Sequence, residues 1–185
     1  LWAQANKTHQ VGVPMMRSMI IAFSDDTACK YLDQQYMLGD ALLVAPVFRE
    51  DKVAQYYLPE GTWTELLTGE TKEGGRWYQG TYDYFSMPLY VRENSIVVRG
   101  NCDTKPDYDY ADHATVCVYQ LKDAAETKVP DIHGNNVFTV KAVKDGDTVK
   151  VSVEGAHTEL KVEVFVGNEK KEAVLAADAS EVVVA

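Results

Sequence analysis

The chain has 185 residues, a net charge of −10 and 46% hydrophobic residues, enough for one large or two small soluble domains. Its acidity excludes a nucleic-acid binder, which needs clustered Lys and Arg, and no run of about 18 apolar residues suggests a membrane span. The charge is spread, with 10 basic and 16 acidic residues up to Asp112 and 8 and 12 beyond it, which is the pattern of a solvated surface.

Leu1 to Gln10 reads as a helix, with Trp2, Ala5 and His9 at helical spacing and Gly12 and Pro14 ending it. It lacks the basic segment and apolar core of a secretory leader. Met15 to Phe23 is nearly all apolar and predicts a strand buried on both faces. Ser24 or Asp25 is the expected N-cap of a helix whose apolar face carries Ala28, Tyr31, Leu32, Gln35 and Tyr36. Gly39 sits where a left-handed C-terminal cap belongs and is expected to be a hinge. One α/β unit cannot cover both faces of its own sheet, so the chain is expected to begin inside a larger domain.

From Ala41 the pattern changes to period two. Strands are expected over Ala41–Val47, Lys52–Leu58, Thr62–Leu67, Tyr82–Val91 and Ser95–Arg99, with turns at Pro59-Glu60-Gly61 and Thr68-Gly69-Glu70. Gly100 to Asp112, GNCDTKPDYDYAD, reads as a domain boundary. Further strands are expected over Thr115–Leu121, Val137–Val143, Thr148–Val153, Glu159–Val166 and Glu181–Val184. Asp145-Gly146 should close a hairpin with φ positive at both positions. Leu160, Val162, Val164 and Val166 should face a core that Val149, Val151 and Val153 also line, leaving Lys161 and Glu163 outside.

Several residues invite a chemical reading. Asp25-Asp26 is a carboxylate pair, but glycoside hydrolysis needs two carboxyls about 5 to 9.5 Å apart across a bond. Neighbours at a helix start diverge, so capping is the better account. Asp103, Asp107, Asp109 and Asp112 lack the Gly and bidentate Glu of a calcium loop and read as a linker with Asx turns. Arg17, inside an apolar strand, is either an active-site cation or a clamp holding two layers together, and the apolar run beyond it favours the clamp. Trp63, Trp77, Tyr78, Tyr82, Tyr84 and Phe85 could stack on sugar rings, although strand cores also favour aromatics. Cys29, Cys102 and Cys117 have neither disulfide nor zinc spacing, and reduced intracellular thiols are expected. His9, His113, His133 and His157 are far apart in sequence.

The run GVPMMRSMIIAFSDDTACKYLDQQYMLGDALLVAPV, then YYLPEGTW and MPLYVRENSIVV, resembles the C-terminal part of glycoside hydrolase family 31, which includes α-glucosidases and α-xylosidases. Gly12, Pro14 and Arg17 match its G-x-P-x-x-R. Asp33, Gln35, Tyr36, Met37 and Gly39 match its D-x-Q-[FY]-M-x-G. Leu42 to Val47 match L-L-V-A-P-V, and Pro88 to Arg92 match P-x-Y-V-R. The MMRSM run and the PDYDY linker look more like the α-xylosidase branch.

The resemblance implies a mainly β chain: tandem antiparallel β-sandwich domains preceded by the C-terminal end of a (β/α)₈ barrel. Residues 1–38 would end the barrel, 39–112 would form the proximal sandwich and 113–185 the distal one. It implies a retaining exo-α-glycosidase whose catalytic aspartates lie upstream, so no catalytic, substrate-binding, cofactor or metal residue is assigned here. The expected partners are a glycoside or oligosaccharide, the missing N-terminal and barrel domains, and a further copy through bare apolar surface. No nucleic-acid or membrane partner is expected, and the expected compartment is the cytoplasm. The rival reading is a non-catalytic carbohydrate-binding or adhesion module of tandem β domains.

Overall fold

A computed structural model describes all residues from Leu1 to Ala185. The chain is mainly β and divides into two compact units, Thr8–Glu93 and Asn94–Ala185, with Leu1–Lys7 belonging to the second. The cut lies upstream of the 100–112 segment. Helix α1 (Trp2–Val11) opens the chain and ends at Gly12, whose φ is 73°.

In the first unit, strand β1 (Met16–Ser18) is followed by a single helical turn, α2 (Met19–Ala22). The expected nine-residue buried strand is therefore only three residues long. Its partner, β2 (Tyr36–Leu38), is equally short, and the antiparallel ladder ends at Ser18 opposite Tyr36. The chain then turns so that Met19 enters the core, while Met16, Ile20 and Ile21 stay exposed.

The expected helix beyond Asp25 shrinks to a 3₁₀ turn, Thr27–Tyr31, with Asp26 as its cap: Asp26 Oδ1 accepts from the Ala28 N–H at 2.9 Å. Gln35 lies beyond the turn and faces another strand. Its Nε2 donates to the Tyr57 carbonyl and its Oε1 accepts from the Tyr57 N–H, both at 2.8 Å. The buried amide thus finds both of its partners on another strand.

The chain continues through β3 (Leu42–Val44), β4 (Val53–Leu58), β5 (Thr62–Glu65), β6 (Thr71–Glu73), β7 (Arg76–Thr81) and β8 (Leu89–Arg92). Six of these strands form one sheet in the order β1-β2-β3-β8-β5-β6, and β4 and β7 form a separate ribbon. One core joins ribbon and sheet through Met19, Met37, Leu43, Tyr56, Leu58, Trp63 and Tyr90. Because β1 pairs antiparallel within this sheet, residues 12–38 do not supply a parallel barrel strand, and no (β/α)₈ barrel is present in the chain. Gly39 has the expected positive φ, 68°, but it belongs to the tight β2–β3 connection and not to a helix end or an inter-domain hinge.

In the second unit, β9 (Ser95–Arg99), β10 (Thr115–Tyr119), β14 (Leu160–Val166) and β15 (Glu169–Leu175) form one sheet in the order β15-β14-β10-β9. The strands β11 (Ala124–Pro130), β12 (Asn136–Asp145), β13 (Thr148–Gly155) and β16 (Glu181–Val184) form the other in chain order. Val116, Val118, Phe138, Val140, Val151, Val162 and Val164 fill the core that both sheets line.

One pairing departs from the all-antiparallel expectation. Strands β10 and β14 run parallel, because β11 to β13 intervene in the opposite sheet before the chain returns. The β12–β13 hairpin pairs Asp145 with Thr148, so its loop is Gly146-Asp147, and φ is positive only at Gly146, 59°. A two-residue hairpin with glycine at the first central position needs no second left-handed residue.

Candidate functional site

The two adjacent carboxylates do not converge. Asp26 caps the 3₁₀ turn through Oδ1 and accepts from the Tyr57 hydroxyl through Oδ2 at 3.0 Å, while Asp25 lies at the surface. Burial, followed by the hydrogen bond and charge of Asp26, pushes the Tyr57 hydroxyl up to about 12. The same two influences push the Cys29 thiol up to about 12, so it stays protonated and unreactive at neutral pH.

Arg17 is a clamp. Its Nε donates to the Pro14 carbonyl at 2.8 Å and its Nη1 to Asp40 Oδ1 at 2.6 Å. It ties the entry of β1 to the β2–β3 connection.

The aromatic group splits by burial. Trp63 is fully buried and its Nε1 donates to the Pro59 carbonyl at 2.7 Å. Tyr78 and Tyr82 are half-buried around Lys72, whose role was not read from the sequence. Lys72 Nζ donates to Tyr90 Oη at 2.6 Å and Tyr56 Oη at 3.0 Å. It also lies 5.2 to 5.7 Å from the ring centroids of Tyr56, Tyr78 and Tyr90. This is an aromatic cage already filled by the chain's own ammonium. Trp77, Tyr84 and Phe85 remain in solvent.

The second unit holds a charged cluster that alternation alone did not reveal. Glu163 points to the outer face of β14, as expected, yet it is only 4% exposed. Arg99 Nη2 lies 2.7 Å from Glu163 Oε2, while Lys161 and Lys170 lie 3.2 and 3.6 Å from Oε1. Those side chains come from β9, β14 and β15, and β15 was absent from the expected strands. Burial alone would push the Glu163 carboxyl up. The hydrogen bond from Lys161 and the charges of Arg99, Lys170 and Lys161 outweigh it and hold the carboxyl below its ordinary value.

Cys117, beneath the same cluster, is pushed up to about 11, chiefly by burial. His157 is a brace, its ring nitrogens 2.7 Å from the Thr158 carbonyl and 3.0 Å from the Ala179 carbonyl. Asp107 and Asp109 lie in the exposed 100–112 segment, and the Asp109 carboxylate accepts from the Ala111 N–H at 3.0 Å in an Asx turn. No three His, Cys, Asp or Glu side chains come together as a metal-binding set.

Two family descriptions match along the chain. Residues 12–97 match the glycosyl hydrolase family 31 C-terminal domain, and residues 109–185 match the C-terminal domain of the alpha-xylosidase YicI. The chain belongs to glycoside hydrolase family 31.

Within family 31, the alpha-xylosidase XylQ of Lactiplantibacillus pentosus is 33% identical over 162 residues, covering 85% of this chain and 21% of that protein. The structure of an alpha-xylosidase from Xanthomonas citri superposes on 98% of this chain and 22% of its own, with a TM-score of 0.77 at 26% identity. The cycloalternan-forming enzyme of Listeria monocytogenes, solved with a pentasaccharide substrate, shares the fold over 98% of this chain and 21% of its own, with a TM-score of 0.85 at 22% identity. The chain thus spans about a fifth of the length of these relatives. The first family 31 match begins at Gly12, inside the segment whose antiparallel pairing already separates it from a barrel.

Proposed function

We propose that this chain is the tandem β-sandwich C-terminal part of a retaining exo-α-glycosidase that removes terminal α-linked xylose or glucose. The observation that carries the reading is the match to both C-terminal family descriptions in succession, one of them from an alpha-xylosidase. The catalytic carboxylates would reside in a (β/α)₈ barrel supplied by the rest of the protein. One would attack the anomeric carbon to form a glycosyl-enzyme ester while the other protonates the leaving oxygen; water then hydrolyses the ester.

In this reading the chain's own groups perform no bond cleavage. Asp26, the one residue of the carboxylate pair held inside the fold, is engaged by the Ala28 N–H and the Tyr57 hydroxyl. The contribution of the chain is a brace. The exposed aliphatic strip of Met16, Ile20 and Ile21 is the surface that preceding domains would cover, since patches of this kind mark contact sites. The buried thiols Cys29 and Cys117 fit a reducing cytoplasm.

The test is the full-length protein with aryl α-xylosides and α-glucosides, its products followed by NMR. Release of the α-anomer first supports a retaining enzyme. First release of the β-anomer, or no release from either substrate, refutes the reading.

A further inference from the structure

Strand β6 lies at the edge of its sheet, with β5 as its neighbour, and Lys72 is its central residue. A lysine on an edge strand ordinarily runs its stem along the surface and leaves its ammonium in water. Lys72 does the opposite. Its Nζ turns to the hydroxyls of Tyr90 and Tyr56, at 2.6 and 3.0 Å, and those two residues are 0% and 1% exposed.

The groups around this ammonium come from both the ribbon and the sheet of the first unit. Tyr56 and Tyr78 stand on the β4–β7 ribbon, Tyr90 on β8 of the sheet, and Tyr82 just beyond β7. Tyr56 Oη lies 2.8 Å from Tyr90 Oη and 3.1 Å from Tyr82 Oη, so three hydroxyls form one connected chain. The rings of Tyr56, Tyr78 and Tyr90 surround the ammonium, with centroids at 5.7, 5.2 and 5.2 Å. Burial first, then the hydrogen bond with Tyr56, pushes the Tyr82 and Tyr90 hydroxyls up, so both stay neutral. The cation is held by neutral oxygens and ring faces, which is how an aromatic cage takes an alkylammonium.

An ammonium is strongly hydrated, so a site that draws it out of water must return both hydrogen bonds and charge attraction. The phenol oxygens supply the first and the ring faces the second. Every one of these contacts is made by Nζ, and the stem of Lys72 acts as a tether. A free primary alkylammonium carries the same donors and the same charge. We propose that Tyr56, Tyr78, Tyr82 and Tyr90 form a binding site for a primary alkylammonium, filled in this chain by Lys72, and that the bound ion pins edge strand β6 to the β4–β7 ribbon. The tether holds Lys72 at a high effective concentration, so a free amine enters only where the lysine side chain is removed. The site is independent of any catalytic role for the chain.

The test uses the 185-residue chain and its Lys72→Ala variant, with propylammonium chloride as the probe. Propylammonium supplies the carbons and the nitrogen that the substitution deletes. Lys72→Ala is expected to lower the melting temperature by about 3 °C or more, and propylammonium to restore most of that loss. Potassium chloride at the same ionic strength and 1-propanol at the same concentration should restore none of it, and the parent protein should not respond to the amine. Lys72→Ala/Tyr90→Phe keeps the ring but lacks one acceptor, so its rescue should need about tenfold more amine. An unchanged melting temperature in Lys72→Ala, or a loss that the amine does not reverse, overturns the proposal. So does equal rescue by potassium chloride or 1-propanol, an equal gain by the parent protein, or rescue of Lys72→Ala/Tyr90→Phe at the same amine concentration, since the amine then acts without the charge, the vacated cage or the phenol. If Lys72→Ala does not fold, recovery on refolding in propylammonium and not in potassium chloride supports the site, and failure in both overturns it.

Discussion

The side chain of Gln35 pairs with the backbone of Tyr57 as a neighbouring strand would, donating to its carbonyl and accepting from its N–H at 2.8 Å each. Tyr57 lies on β4, in the two-stranded ribbon, so one amide satisfies backbone groups that no strand reaches. Gln35→Ala would leave a buried donor and a buried acceptor without partners. The expected loss is about 2 kcal/mol or more, since each orphaned group costs about 1–3 kcal/mol. Urea unfolding of the chain checks it, and a loss below about 0.5 kcal/mol would show that water replaces the amide.

Gly39 carries a φ of 68° in the tight link between β2 and β3. Gly39→Val forces a β-branched residue into the left-handed region and should cost about 1 kcal/mol or more. Thermal melts of the two proteins measure this directly, and an unchanged melting temperature would contradict the backbone argument.

These two residues also show how far the sequence could be read. Gly39 was legible because a glycine between two apolar runs implies a conformation that other residues resist. Its reason was misread, because Gln35 lies at helical spacing from Tyr31 and nothing local reveals a partner 22 residues away. Period-two segments such as β4, β13 and β14 were legible through alternation. Strands β6, β7, β11 and β15 were not: Thr71–Glu73 is polar, Arg76–Thr81 is mostly exposed, and Glu169–Leu175 and Ala124–Pro130 show weak alternation. Missing β15 hid the cover over Glu163. Of the aromatic group, the sequence named the residues but not their split into a cage around Lys72 and a solvent-facing tip.

Glu163 should make the second unit sensitive to acid. Its carboxyl is held below its ordinary value in the folded chain, so the cluster's stabilisation is complete above the unfolded value of about 4.3. It is lost as pH falls through the lower folded value. Glu163→Gln should therefore lower the melting temperature at pH 7 and converge on the parent protein only once the pH is below that lowered folded value. Lys161→Glu would add a third carboxylate beside Glu163 and Glu172, which Lys161 now bridges at 3.2 and 3.5 Å. It should cost more than the roughly 0.5 kcal/mol of an ordinary surface change. Equal destabilisation by Glu163→Gln at pH 7 and at every lower pH at which the chain stays folded would show that packing, not charge, is what the residue supplies.

The aliphatic strip predicts that the isolated chain binds apolar dyes or associates with itself. Met16 and Ile21 are each 62% exposed and Ile20 is 44% exposed. Replacing Met16 and Ile21 by Gln should reduce dye fluorescence without lowering the melting temperature, since neither side chain fills the core. Undiminished fluorescence in that variant would place the sticky surface elsewhere.

The proposed function makes this chain part of an α-glycosidase whose bond-cleaving groups lie outside residues 1–185. The most direct measurement compares the purified 185-residue chain with the full-length protein on aryl α-xylosides and α-glucosides at equal molar concentration. Turnover by the full-length protein and none above buffer by the chain is the predicted result. Hydrolysis by the chain that survives repurification would contradict it, because the cleaving carboxylates would then have to lie within residues 1–185.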